Sequence, residues 1–196
     1  HNGLKSISFN AVQHLKKLLA LNVSYNEINA ICRVRRNIPL LGNLNELVIL
    51  DISQNRIWRI RRNCFGKLYK LTILSLSSNR ISILEQFAFS NLKALQVLDL
   101  SKNYLNSFIA NVFHGLNLIQ LKLKWNYFET LSLQSFANSK VTVLDVDQMK
   151  VCCVYKKDSM GFCTASLHMF SSCDDLMSNT ALRTCIWIMA TISLLC

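Results

Sequence analysis

The sequence predicts an α/β fold of solenoid type, a curved parallel sheet of about six strands, and three observations carry that prediction. A template, L-x-x-L-x-L-x-x-N-x-I, recurs at 18–28, 47–57, 71–81, 95–105 and 118–128. Its asparagines, Asn26, Asn55, Asn79, Asn103 and Asn126, stand 29, 24, 24 and 23 residues apart. The 196 residues include one Pro and five Gly, so the chain must reverse by a repeated device other than Pro/Gly turns. A period of this size marks an array in which no unit buries its own apolar face and each is stabilised by its neighbours.

Each element follows from the template in order. Alternating leucines in L-x-L point to one side of a strand and the residues between them to the other. The asparagine amide is placed to satisfy backbone groups where the chain leaves the strand, groups that cost about 1–3 kcal/mol each if buried unpaired. About ten positions later comes an apolar residue: Val12, Phe65, Phe89, Phe113 and Phe136, with Leu41 in that place in the repeat that is five residues longer. These predict a spine behind the sheet. Stepping back 24 residues from Asn26 reaches Asn2, with Leu4 following; stepping forward 23 from Asn126 reaches Met149, preceded by "VTVLDVDQ". A sixth strand is therefore expected without its asparagine, and the array is expected to span 1–149. The pattern is that of leucine-rich repeats of the 24-residue type.

Composition narrows the function. At 51% hydrophobic and 17% charged the chain folds. The formal charge of +11 is concentrated in Arg33, Arg35 and Arg36 and in Arg56, Arg59, Arg61 and Arg62. Basic surfaces can hold nucleic acid, sulfated sugars or acidic peptides. No nucleic-acid signature accompanies these two, so the expectation is a solvated face and no nucleic-acid partner. There is no G-x-S-x-G, H-E-x-x-H or phosphate-binding loop, hence no expected catalytic residue, enzyme activity or cofactor.

Eight cysteines suggest an oxidising, extracellular setting. Cys152, Cys153, Cys163 and Cys173 crowd together without the C-x-x-C pair or matched His that zinc needs, so no metal is expected. Four cysteines allow three pairings, which sequence does not choose among. Adjacent Cys152 and Cys153 are poorly disposed to bond each other, and each is expected to reach forward to Cys163 and Cys173, stapling a cap and hinge over 150–178. "NVS" makes Asn22 a candidate N-glycosylation site.

Strand alternation also selects the ligand face. The position between the last two template leucines holds Asn22, Asp51, Ser75, Asp99, Lys122 and Asp145; two residues on stand Ser24, Ser53, Ser77, Ser101, Lys124 and Asp147. With strands about 4.8 Å apart, Asp51, Asp99 and Asp145 fall on alternate rungs, each about 10 Å from the next, with Asp147 beside Asp145. An acidic row on a basic protein points to a cationic peptide, because arginine pairs bidentately with carboxylates. Lys122, Lys124 and Trp125 on the fifth strand are the other expected contacts.

The chain opens on "HNGL" without an initiator Met and is expected to be a fragment. From Cys185 it reads "CIWIMATISLLC", uncharged, with Arg183 at its edge and Trp187 just inside, which predicts the start of a first transmembrane helix over 179–196. Repeats followed by "CC", then by "FSSCDDLMSNTALR" and an apolar run, resemble the ectodomain exit of the leucine-rich-repeat G-protein-coupled receptors. The positions that match are Phe170, Cys173, Asp174, Asp175, Leu176, Met177, Leu182 and Arg183. The short distance from Cys153 to Cys173 is similar to the short-hinge group, the relaxin-type receptors. That resemblance implies a plasma-membrane receptor with its repeats outside the cell, a peptide or protein hormone bound by the concave acids, and a heterotrimeric G protein coupled through the rest of the chain. It also implies a signalling junction at Phe170, Asp174 and Asp175. The competing expectation is a single-span adhesion or protein-interaction module.

Overall fold

The computed structural model describes residues 2–12, 14–33, 38–41, 43–128 and 133–146. Ten strands are formed there: β1 (Ala20–Asn22), β2 (Cys32–Arg33), β3 (Ile38–Pro39), β4 (Ile49–Asp51), β5 (Arg59–Ile60), β6 (Ile73–Ser75), β7 (Ile83–Leu84), β8 (Val97–Asp99), β9 (Asn117–Lys122) and β10 (Lys140–Asp145). Six of them make one sheet in the order β1-β4-β6-β8-β9-β10, every pairing parallel. This is the expected solenoid sheet, one strand per template copy plus the sixth strand predicted before Met149. Such short strands hold only because each is one rung of a stack.

The α component is smaller than an α/β label suggests. Among the described residues it is one helical turn, α1 (Phe9–Val12), and a 3-10 turn at Leu133–Phe136. The back of the solenoid is otherwise turns and two small sheets, β5 with β7 and β2 with β3.

The core is the set of template leucines. Leu47, Leu50, Ile52, Leu71, Leu74, Leu76, Leu95, Leu98 and Leu100 are all buried. Behind them runs the aromatic spine. Phe65 stacks on Phe89 at 5.7 Å, Phe89 on Phe113 at 6.2 Å, and Phe113 on Phe136 at 5.1 Å between ring centroids. Leu41 is buried at the corresponding place in the longer repeat. Ring pairs of this kind add about 0.5–1.5 kcal/mol beyond their area burial.

The asparagines form a second ladder, and their bonds cross between repeats. Asn79 Nδ2 donates to the carbonyls of Ile52 (3.0 Å) and Leu76 (3.1 Å), while its Oδ1 accepts the Ile57 N–H at 3.0 Å. Asn55 and Asn103 repeat the pattern, accepting from Ile28 and Ile81. The residue before each asparagine takes a left-handed backbone: Tyr25, Gln54, Ser78, Lys102 and Trp125 have φ between 52° and 62°. That conformation is uncommon for residues other than glycine. It is the repeated reversal that replaces the missing Pro and Gly.

The second repeat, five residues longer than the others, contains β2 and β3. β2 pairs antiparallel with β3, Cys32 opposite Pro39. A disulfide joins Cys32 to Cys64 across 32 residues, with both cysteines buried. Closing a loop of that length stabilises by roughly 3–4 kcal/mol in the chain-entropy account.

Candidate ligand-binding face

The six-stranded sheet puts the expected acids in one row. Pairing is in register, so Asn22, Asp51, Ser75, Asp99, Lys122 and Asp145 are successive Cα partners along β1, β4, β6, β8, β9 and β10. Asp51, Asp99 and Asp145 occupy alternate rungs, as strand alternation predicts. Asp147 lies outside the described residues.

Their surroundings differ. Asp51 Oδ1 accepts the Ser53 N–H at 2.9 Å, and Asp51 makes no ion pair among the described residues. Asp99 Oδ1 accepts the Ser101 N–H at 2.9 Å and the Ser101 hydroxyl at 2.6 Å, and its Oδ2 lies 4.0 Å from Lys122 Nζ. Asp145 Oδ1 lies 2.6 Å from Lys124 Nζ. The two lysines of the fifth repeat are thus cations facing the acids of both flanking strands, where sequence suggested isolated exposed contacts. These pairs are solvent-accessible, which limits each to about 0–1 kcal/mol and leaves it exchangeable.

Trp125 is displaced from its expected place. β9 ends at Lys122, so Trp125 sits in the left-handed turn beyond the strand, 66% exposed. On the same rim Tyr104 and Tyr127 are exposed and 6.0 Å apart.

An apolar row was overlooked in the sequence. Beside the acids, at the third template position, stand Ala20, Ile49, Ile73, Val97, Gln120 and Val143, in register along the same strands. Ile49, Ile73 and Val143 are exposed. The signal was available: two isoleucines and two valines at a position that faces solvent.

The second arginine patch dissolves into contacts between repeats. Arg56 pairs with Glu27 at 3.0 Å, Arg59 with Glu85 at 2.6 Å, and Arg62 lies over the Phe87 ring at 5.2 Å. Arg35 and Arg36 lie outside the described residues, as do the cysteines Cys152, Cys153, Cys163 and Cys173, the junction residues Phe170, Asp174 and Asp175, and the ranges 150–178 and 179–196. Among the described residues no cluster of His, Cys, Asp and Glu could hold a metal ion, and no helix is long and apolar enough to cross a membrane.

The family model for "Leucine rich repeat" matches residues 45–105 and 70–128. The six-stranded parallel sheet has the fold of a leucine-rich-repeat solenoid. Among solved structures, the leucine-rich-repeat array is similar to a chain of the Toll–Spatzle complex, described for Drosophila, at 20% identity and a TM-score of 0.53, covering 75% of this chain and 25% of that one. A chain of the TLR13–ssRNA13 complex is similar at 25% identity and a TM-score of 0.49, over 79% of this chain and 24% of that one. The protein therefore spans about a quarter of the length of these solved chains. The first likeness speaks for the fold. No curated protein matches this chain.

Proposed function

We propose that this leucine-rich-repeat array is part of the ligand-binding ectodomain of an extracellular receptor, and that it takes a basic peptide or protein across the strand-lined face. One observation carries the reading: an acidic row, Asp51, Asp99 and Asp145, runs in register beside an exposed apolar row, Ile49, Ile73 and Val143. Apolar contacts supply area and carboxylates select cations. A ligand arginine can displace Lys122 or Lys124, because a guanidinium offers a carboxylate two parallel hydrogen bonds and an ammonium is a point charge. The Cys32–Cys64 disulfide supports an extracellular setting.

The finer assignment is a hormone receptor of the G-protein-coupled class at the plasma membrane, signalling through a heterotrimeric G protein. It rests on the junction motif around Phe170, Asp174 and Asp175. The parent transcript tests it: six further apolar spans support this receptor, and a single span followed by a short basic tail replaces it with an adhesion module.

The face itself is tested by titrating the oxidised chain with arginine-rich and glutamate-rich peptides of equal length. Selective binding of the cationic probe that falls at least tenfold in Asp51→Lys and Asp99→Lys is expected. Equal binding of both probes, or affinity unchanged in both variants, removes the proposal.

A further inference from the structure

We propose that Asn22 carries an N-linked glycan, and that this sugar screens β1 and β4 of the strand-lined face. Asn22-Val23-Ser24 is the single Asn-x-Ser/Thr triplet in the sequence. Asn22 ends β1 and is exposed.

The hydrogen bonding at Asn22 leaves room for the modification. Its Oδ1 accepts the Ser24 N–H at 2.9 Å and the Ser24 hydroxyl at 2.6 Å, while Nδ2 donates no hydrogen bond among the described residues. The ladder asparagines are the opposite case. Nδ2 of Asn55, Asn79 and Asn103 each donates to three backbone carbonyls, and a sugar there would break the stack. Asp99 shows that the turn at Asn22 needs no side-chain nitrogen: Asp99 Oδ1 holds Ser101 by the same two bonds, at 2.9 and 2.6 Å. A substituted Nδ2 therefore leaves the local structure intact. The Cys32–Cys64 disulfide independently points to an oxidising compartment, the setting in which secreted chains are glycosylated.

The donor is an oligosaccharide joined to a lipid pyrophosphate. Asn22 Nδ2 attacks its anomeric carbon; the C–N bond forms, the C–O bond to pyrophosphate breaks, and the lipid pyrophosphate leaves with the amide proton neutralised by base. Since Asn22 is the Cα partner of Asp51, the sugar stands over β1 and β4. That consequence, which rests on the ligand-binding reading above, steers a ligand toward β6–β10.

The test is expression of the full chain behind a secretion signal in animal cells. A mobility shift removed by peptide N-glycosidase is expected, with Asn22 converted to Asp in the mass spectrum. Both are lost in Ser24→Ala and in Asn22→Asp, the latter keeping the turn as Asp99 does. A secreted chain with the Cys32–Cys64 bond formed and Asn22 unmodified overturns the proposal. Should the chain fail to leave the cell, translation into microsomes reads the same modification before folding, and an unmodified product there overturns it too. Stronger binding of the arginine-rich peptide by Ser24→Ala, which adds no charge to the row, than by the glycosylated chain supports the screening of β1 and β4. If neither form binds that peptide, the ligand reading has failed while occupancy still stands or falls alone.

Discussion

Leu74 and Asn79 have a counterpart in each neighbouring repeat, whereas Ser75, one residue from Leu74, has Asp51 on one flank and Asp99 on the other. The inward side of the solenoid repeats because each rung is packing for the next; the strand-lined side is bound by no such rule and varies from rung to rung. The inward side should therefore respond to substitution as stability, and the outward side as binding. Four sites, taken in order of decreasing effect, test that division.

Phe89 is the largest expected effect. It is fully buried and stacks on Phe65 and Phe113 at once, so Phe89→Ala opens a cavity shared by three repeats. A loss of about 3–5 kcal/mol is expected in chemical denaturation. Because nearest neighbours carry the stability of a stacked array, the unfolding transition should also broaden. A loss below about 1 kcal/mol would mean that the spine is ornamental to the stack.

The disulfide comes next. Replacing Cys32 and Cys64 together by Ala should cost roughly 3–4 kcal/mol if release of the closed loop dominates. Reduction should then cost the unaltered chain about that much more than it costs the double variant, because any bridges among Cys152, Cys153, Cys163 and Cys173 open in both, read by the same denaturation curve. A loss on substitution much larger than that difference would place the effect in packing, since both cysteines are buried.

Asn79→Ala breaks the second ladder. It orphans the Ile57 N–H, while the carbonyls of Ile52 and Leu76 keep Asn55 and Asn103 as donors. An expected loss of about 1–3 kcal/mol follows from one backbone donor left buried and unpaired. Asn79→Asp is the sharper comparison: one oxygen remains to accept from Ile57, but a charged oxygen now faces the carbonyls of Ile52 and Leu76 in a buried site, so it should cost at least as much as Asn79→Ala.

How much of this was legible follows from the range of each interaction. The strand register could be read because alternation and a near-constant period fix it locally: Asn22, Asp51, Ser75, Asp99, Lys122 and Asp145 share a row for the same reason that Leu50, Leu74 and Leu98 share one. The Cys32–Cys64 bond was invisible because no spacing rule joins two cysteines 32 residues apart, and the five-residue insertion breaks the period between them. The Lys124–Asp145 pair was equally hidden, since a lysine on one rung can reach either neighbour and only geometry decides. Trp125 was misplaced by a single residue type: the sequence does not announce that the position before the asparagine turns left-handed, since no glycine marks it. The apolar row at Ile49, Ile73 and Val143 was legible and was passed over because charge drew attention to the adjacent row.

The smallest expected effect on stability separates the two sides most cleanly. Lys122→Gln with Lys124→Gln removes the cations that face Asp99 and Asp145, both pairs solvent-accessible. Stability should change by less than about 1 kcal/mol per pair. Affinity for an arginine-rich peptide should instead rise about two- to fivefold, because the ligand no longer displaces a resident lysine or meets its charge. The gain should shrink as ionic strength rises, since exposed charges are screened over about 10 Å at 0.1 M salt. Asp51 has no such resident cation among the described residues, so Asp51→Asn should weaken the same peptide in the double variant and in the unaltered chain alike. An unchanged affinity in the double variant, with Asp51→Asn still harmful, would mean that the ligand's cations reach the first half of the sheet alone and that the paired acids of β8 and β10 serve the fold.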